Sequence, residues 1–396
     1  MKTVLPFEAL PKGLPFGGKI TYCVVDISGI QSYIFHAMDR HTTPAEIRSR
    51  SEFISRLTGE IHRRLTRFPG YLFGSVSSGK LLCGFHPSTK EHALREFLDR
   101  LQRTVFASTQ GRLTFYYALC QSKCIPEHRF RNTDMQHAGA VLGQLLEEEK
   151  YHCLNLLSAD MAQEADPLLT PVDSSITSPA REENQGVVKL DLDNLGAFFR
   201  DITAYDRRHR VSMALEAAID TCLKADARIE TVFAGGDDIF FLCPLSEYLS
   251  VISCFYRRFR KLLKESPELR GYEQNFFGIS AGICVLRNQL DQIPLLSYWE
   301  SAENALRIAK TKGGKNCLYV QLPSKELLYI SWENLCLLSD IYTRLREPLH
   351  AQHRFTGADI AHVGVLAEQL SICGRYGNQL TKKELSRLYE IKKQSV

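Results

Sequence analysis

The hydrophobic residues of this chain fall into one arrangement of strand-like and helix-like periods that occurs twice. Apolar runs at 20–26, 71–76, 79–85 and 112–119 read as strands, and the segments 46–66 and 90–106 carry apolar residues at helical spacing. The same order returns as a strand at 186–193, a helix at 211–224, strands at 228–233 and 238–243, a helix at 247–264 and a strand at 276–285. Both halves read βαββαβ, which makes the chain an internal repeat. After the second copy, Ala302, Ala305, Leu306 and Ala309 predict a helix over 301–310, and a short strand follows at 317–320. From there the pattern is helical to the end, with Leu335, Leu338, Ile341 and Leu345 on one stripe and Val363, Leu366 and Leu370 on another. Between the copies, 138–153 is helical in pattern, whereas 158–186 is rich in Ser, Thr, Pro, Asp and Glu and reads as a linker or loop. The pattern divides the chain into a first repeat (1–130), a helical linker region (131–185), a second repeat (186–325) and a C-terminal helical region (326–396).

Composition changes this picture little. With 396 residues, 44% hydrophobic and 24% charged, the chain has the make-up of a globular protein with room for two or three domains. A formal charge of +4 permits nucleic-acid contact without requiring it. The basic runs at 200–210 and 257–261 read first as solvated helix faces. The first 18 residues lack a cationic start followed by an apolar core, and no run approaches 18 apolar residues, so a cytoplasmic protein without a membrane span is expected.

The acids change it more. Thr231-Val-Phe-Ala-Gly-Gly-Asp-Asp-Ile-Phe-Phe-Leu-Cys243 places Gly235, Gly236, Asp237 and Asp238 at the tip of an apolar hairpin. Val187-Val-Lys-Leu-Asp-Leu-Asp-Asn-Leu-Gly196 ends another apolar run in Asp191 and Asp193. If these strands are neighbours, four carboxylates meet, and left together without a cation they repel one another. Magnesium takes oxygen ligands, and two such ions can clamp the attacking and leaving oxygens of a phosphoryl displacement. Along a strand alternate side chains share a face, so Asp191 and Asp193 are expected side by side, with the Leu192 carbonyl available at the strand end. Gly235 and Gly236 permit a positive φ and close approach of a triphosphate. Asn194, Leu195 and Gly196 form the strand-to-helix turn, whose N–H groups suit phosphate. Lys310 and Lys315 flank a Gly-Gly turn after a helix, where cations suit both the helix C-terminus and a triphosphate. Each feature alone has a plainer reading: Gly-Gly-Asp-Asp is an ordinary turn sequence and each lysine an ordinary surface charge. Together they point to a nucleotidyl-transfer or cyclase site.

The first copy lacks most of this set. Aligned on the repeat, Asp26 matches Asp191, Ser28 replaces Asp193, and Ser77-Ser-Gly-Lys80 stands in place of Gly235-Gly-Asp-Asp238. Lys80 is either a phosphate contact or a turn lysine.

Four ordered segments, Leu190-Asp-Leu-Asp-Asn-Leu-Gly196, Gly235-Gly-Asp-Asp238, Gly278-Ile-Ser-Ala-Gly282 and Ala302-Glu-Asn-Ala-Leu-Arg-Ile-Ala-Lys310, resemble the palm, or cyclase, domain of the large polymerase subunit of type III CRISPR effector complexes. Val25-Asp-Ile-Ser-Gly-Ile-Gln31 and Ile47-Arg-Ser-Arg-Ser51 resemble that family's first palm. Diguanylate cyclases, to which the family is related, place Glu and Phe after the first Asp of the turn, where this chain has Asp238 and Ile239. The resemblance implies an α+β chain of two ferredoxin-like (βαββαβ) palm/cyclase domains with a C-terminal helical region. It further implies Mg2+ or Mn2+ as a two-ion cofactor, ATP as substrate, cyclic oligoadenylate as product, and guide RNA, target RNA and other CRISPR effector subunits as partners. Asp191, Asp237 and Asp238 are then catalytic metal ligands, with Asp193 assisting. A stand-alone cyclic dinucleotide synthase in phage defence and a non-catalytic scaffold subunit remain the alternatives.

Family members often carry a His-Asp nuclease and a zinc insertion. This chain contains no His-Asp dipeptide, so DNA cleavage by such a domain is not expected. Of its twelve cysteines, Cys23, Cys83, Cys243, Cys284 and Cys317 sit in strand patterns as small core residues. Cys120 and Cys124, with His128 and either Cys153 or His152, are the zinc candidate, and their spacing is loose.

Overall fold

The computed structural model describes residues 19–30, 32–36, 42–77, 79–123, 146, 166–170, 185–202, 205–274, 278–285, 295–321, 327–352, 366–368, 370–371 and 380–394. They form two units, one holding the first repeat and one holding the second together with the C-terminal helices. The remaining zinc candidates (124, 128, 152 and 153), the 138–153 helix apart from residue 146, and Val363 lie outside the described residues.

In the first unit, β1 (Lys19–Ser28), β2 (Tyr71–Ser77), β3 (Lys80–Phe85) and β4 (Thr114–Lys123) form an antiparallel sheet in the order β2-β3-β1-β4. Helix α1 (Pro44–Thr66) joins β1 to β2, and α2 (Glu91–Ser108) joins β3 to β4. Each helix buries one stripe at the expected spacing, Ile54, Leu57, Ile61 and Leu65 on α1 and Leu94, Leu98, Leu101 and Val105 on α2. Each such side chain, fully buried, contributes roughly 1.5–3 kcal/mol.

The second unit repeats the plan and extends it. Strands β5 (Gln185–Leu192), β6 (Glu230–Gly235), β7 (Asp238–Pro244), β8 (Ile279–Val285), β9 (Cys317–Gln321) and β10 (Leu327–Ser331) lie in the order β10-β9-β8-β5-β7-β6. Its β6-β7-β5-β8 portion reproduces the first sheet strand for strand. Even an irregularity recurs, since both edge strands shift register, at Tyr71/Phe73 and at Thr231/Phe233. The helices are α3 (Leu195–Asp201), α4 (Tyr205–Lys224), α5 (Tyr248–Glu265), α6 (Arg270–Gln274), α7 (Leu295–Thr311), α8 (Trp332–Gln352) and α9 (Lys382–Gln394). α7 is the crossover between β8 and β9, which pair in parallel. It lies directly on the sheet because Gly282 has no side chain: a Cβ there would stand 1.9 Å from the Ala302 carbonyl oxygen.

One expectation is corrected. The stretch after Val320 is not wholly helical, because Leu327–Ser331 pairs with β9 in register from Leu327↔Gln321 to Ser331↔Cys317. Five residues are too few for a period to distinguish strand from helix. The helices beyond it share the second sheet's core, with Leu335, Leu338, Ile341, Leu345, Leu366, Leu370, Leu388 and Ile391 in one apolar cluster with Leu190, Ile239 and Ile283. α8 is tied down further by Trp332 Nε1, which donates to the Ile279 carbonyl at 2.7 Å, by the ring of Tyr256 stacked on Trp332, and by Arg257 paired with Asp340. Arg257 keeps a half-exposed side chain, as a solvated helix face predicts, while pairing with Asp340. All five cysteines assigned to the core are buried.

Candidate active site

β5 is the central strand of the second unit, and its C-terminal end carries the site. Asp191 is the register partner of Asp238, the first residue of β7, so two carboxylates are opposed across neighbouring strands. Asp237 follows at the tip of the β6–β7 hairpin, where its carbonyl accepts from the Leu192 N–H at 3.3 Å and ties the tip to the strand end. Leu192 itself is buried. Gly236 has a φ of +67°, and a Cβ added there would meet nothing within 4 Å, so the tip is both left-handed and open on that side. Gly235 has a different reason for being glycine, since a Cβ there would strike the Phe233 ring at 2.7 Å.

Burial above all, opposed by Lys310 and reinforced to a smaller extent by the charges of Asp237 and Asp238, raises the Asp191 carboxyl to about 6. The same cluster acts on Tyr272, whose phenol is pushed above its ordinary range by burial and then by Asp193, Asp237 and Asp191.

Asp193 is linked to the Asp191 position through Ser280, the register partner of Asp191 on β8. β5 ends at Leu192, and Asp193 lies in the following turn, 1% exposed, with both oxygens engaged. Oδ1 accepts from Ser280 Oγ at 2.7 Å and Oδ2 from the Asn316 N–H at 2.8 Å. Asp193 therefore binds the end of β5 to β8 and to the loop before β9. That loop is conformationally unusual, with Gly314, Lys315 and Asn316 all at positive φ, as is Asn194 beside it at +57°. Lys315 Nζ donates to Asn194 Oδ1, so this lysine and this asparagine face each other on one rim. Leu195 is buried and Gly196 is exposed, with nothing within 4 Å of an added Cβ.

Lys310, in the last turn of α7, sets its Nζ 2.6 Å from Asp191 Oδ2. Sequence reasoning missed a second lysine. Lys189, two residues before Asp191 on β5 and only 4% exposed, approaches Asp238 Oδ1 at 3.5 Å, pairs with Glu303 and lies 4.9 Å from the centre of the Trp299 ring. Trp299, Glu303, Leu306 and Lys310 follow at i, i+4, i+7 and i+11, so one stripe of α7 lies along the β5 face that carries Lys189 and Asp191. The signal was available: a lysine inside an apolar strand, in phase with Asp191.

As the side chains stand, these lysines hold two of the acids, and among the described residues no three ligand side chains are grouped to enclose an ion. The donor set nevertheless fits a hard divalent cation. Asp191, Asp237 and Asp238 supply only oxygen, and their mutual repulsion, seen at Asp191, is a cost that such an ion relieves. In the first unit the corresponding pair is Asp26 and Lys80, register partners whose charged groups stand 4.0 Å apart. Lys80 is there a counter-ion for Asp26, and that copy has no second acid.

A helix-backed antiparallel sheet with acids at a hairpin tip opposed to an acid ending the central strand defines a palm-type α+β protein. Residues 184–319 match the model for the second palm domain of Cas10/Cmr2. Solved structures of Csm1–Csm4 assemblies are similar over most of the chain. One in complex with pppApApA matches at a TM-score of 0.58 and 13% identity, covering 96% of this chain and 64% of that one. One with pppApA matches at 0.56 and 15% (83% and 58%), and the subcomplex of the type III-A interference complex at 0.55 and 15% (92% and 64%). This chain therefore spans less than two thirds of the length of these relatives. At such identity the likeness concerns the fold. No curated protein matches the sequence. No helix among the described residues is long and apolar enough to cross a membrane.

Proposed function

We propose that the chain is a metal-dependent nucleotidyltransferase built from two ferredoxin-like palm domains, which joins ATP into cyclic oligoadenylate for CRISPR-type antiviral defence. The observation that carries this reading is the convergence of Asp191, Asp237 and Asp238 at an open hairpin tip, inside the segment that matches the Cas10/Cmr2 second palm model. Csm1–Csm4 cassettes solved with ATP, pppApA, pppApApA and cA4 lend it support.

The three carboxylates, with the Leu192 carbonyl, are the groups that would hold Mg2+ or Mn2+. Such ions, when bound, lower the pKa of the attacking 3′-hydroxyl and neutralise the leaving pyrophosphate. Gly236 lets a triphosphate lie against the hairpin backbone. Asn194, Leu195 and Gly196, at the strand-to-helix turn, would offer peptide N–H groups to the phosphates, and Lys310 and Lys315 would add cations there. Asp193 acts one step away: by holding the Asn316 N–H it fixes the loop that carries Lys315. Partner subunits and guide or target RNA enter by the same analogy.

Mass spectrometry of the purified protein incubated with each nucleoside triphosphate and Mg2+ or Mn2+, with and without RNA, tests the proposal. Cyclic adenylates that disappear in Asp237→Ala/Asp238→Ala are expected. Their persistence in that variant overturns the metal assignment, and silence throughout favours a scaffold subunit.

A further inference from the structure

Two lysines approach the acid cluster, and their surroundings differ. The Lys189 side chain is 6% exposed, enclosed by Glu303 and Trp299 of α7 beneath the sheet's register pair Lys189↔Gly282. The Lys310 side chain is 35% exposed and stands at the end of α7, held at its tip by Asp191. A lysine packed as Lys189 is cannot leave without stranding a buried charge. A half-exposed lysine on a flexible four-carbon stem can re-aim at little cost.

The internal repeat supplies an independent comparison. The position of Lys189 is held in the first copy by Val24, and the position of Asp238 by Lys80. Each strand pair therefore carries one lysine near its β-strand aspartate, but on opposite strands. Where the hairpin carries an acid, the cation has moved to the central strand beneath it. A second acid at the tip thus goes together with a fixed counter-ion, which points to Lys189 as the residue that holds the Asp238 carboxylate.

We infer that Lys189 and Lys310 are counter-ions of different kinds. Lys189 is a fixed positioning residue for Asp238, and Lys310 is a displaceable partner of Asp191 that yields to a divalent cation and turns to the phosphates. This rests on the reading above that the acids take metal. Lys310 Nζ lies within 2.6 Å of Asp191 Oδ2, so an ion bound by that oxygen must contest it. The lysine then serves two opposite ends: it competes with metal and it attracts nucleotide.

Opposite signs make the inference testable without turnover. Mn2+ binding to the full chain without nucleotide is measured by electron paramagnetic resonance, and binding of a non-hydrolysable ATP analogue by calorimetry. Lys310→Met is expected to bind Mn2+ roughly three- to fivefold tighter, the size of a lost competing ion pair, and the analogue more weakly. Lys312→Met, which removes an exposed charge two residues away, controls for charge alone. Lys189→Met is expected to bind Mn2+ more weakly although it too loses a positive charge, and Lys189→Arg to restore binding in part. If Lys189→Met does not fold, the arginine variant alone decides this arm, by keeping Mn2+ affinity within about threefold of wild type. Equal tightening in Lys310→Met and Lys312→Met, or no tightening in either, overturns the exchange while leaving the metal site in place. Tightening in Lys189→Met overturns the positioning role. Absence of Mn2+ binding by the wild-type chain, with or without the analogue, overturns the metal reading itself.

Discussion

Asp191 and Asp238 are opposed register partners across β5 and β7, and in the first sheet the same two positions are Asp26 and Lys80. One scaffold thus holds, in two copies, an acid facing an acid and an acid facing a base. The scaffold tolerates both because each is locally compensated, the first by Lys189 from below and Lys310 from the side, the second within the pair itself.

Lys80→Asp should therefore be harmful in the first copy, although it restores the acid found in the second. It sets two carboxylates opposite each other with only Val24 where Lys189 would stand. Like charges directly opposed on neighbouring strands destabilise by up to about 1 kcal/mol. Urea unfolding at pH 7 is expected to show that loss. An unchanged midpoint at pH 7 contradicts the pairing of Asp26 with Lys80.

The raised Asp191 carboxyl carries a pH dependence whose sign is definite. Its folded pKa of about 6 lies above the ordinary carboxylate value, so the folded chain binds more protons than the unfolded chain between the two. This group therefore costs stability above pH 6 and returns it as the pH falls towards 4. Metal binding runs the other way, because the ion must displace that proton. Apparent Mn2+ affinity is expected to fall by up to tenfold per unit below about pH 6 rather than below about pH 4, and Asp191→Asn should lose both the affinity and the inflection. A titration flat between pH 7 and 5 contradicts the raised value.

Much of this was legible in the sequence because it is local. The repeat, the hairpin tip and the α7 motif depend on periods and on neighbouring residues. Three features escaped for one reason, that each depends on where a strand stops or on what packs over it. The engagement of Asp193 could not be read locally, because its partners Ser280 and Asn316 come from β8 and from the loop before β9. Lys189 looks like an accident in an apolar strand until α7 lays Glu303 and Trp299 across it. β10 is a five-residue strand that exists because β9 offers it an edge.

The placement of Asp193 separates fold from chemistry. Asp193→Ala removes the acceptor for the Ser280 hydroxyl and the Asn316 N–H, both at a residue 1% exposed. Hydrogen bonds to a charged group are worth roughly 1.5–3 kcal/mol each, so a loss of about 3 kcal/mol is expected in urea unfolding. Asp193→Asn, which keeps one acceptor oxygen, should lose less and still bind Mn2+ within about threefold of wild type. Mn2+ binding lost in Asp193→Asn as completely as in Asp191→Asn identifies Asp193 as a ligand after all.

Gly282 tests whether the α7 stripe is the element that sets both lysines. A Cβ at that position would stand 1.9 Å from the Ala302 carbonyl oxygen and 2.4 Å from the Leu306 nitrogen, both backbone atoms that cannot step aside singly. The whole helix must lift, and overpacking of this kind costs typically about 1–3 kcal/mol. Lifting α7 withdraws Glu303 and Trp299 from Lys189 and Lys310 from Asp191 together. Gly282→Ala is thus expected to lower the unfolding midpoint and to weaken Mn2+ and nucleotide binding in the fraction that remains folded, although residue 282 itself carries no side chain near the acids. Gly196→Ala, where an added Cβ meets nothing within 4 Å, is the matched control and should leave stability within about 0.5 kcal/mol. If the two variants behave alike, close seating of α7 on β8 is not what organises the site.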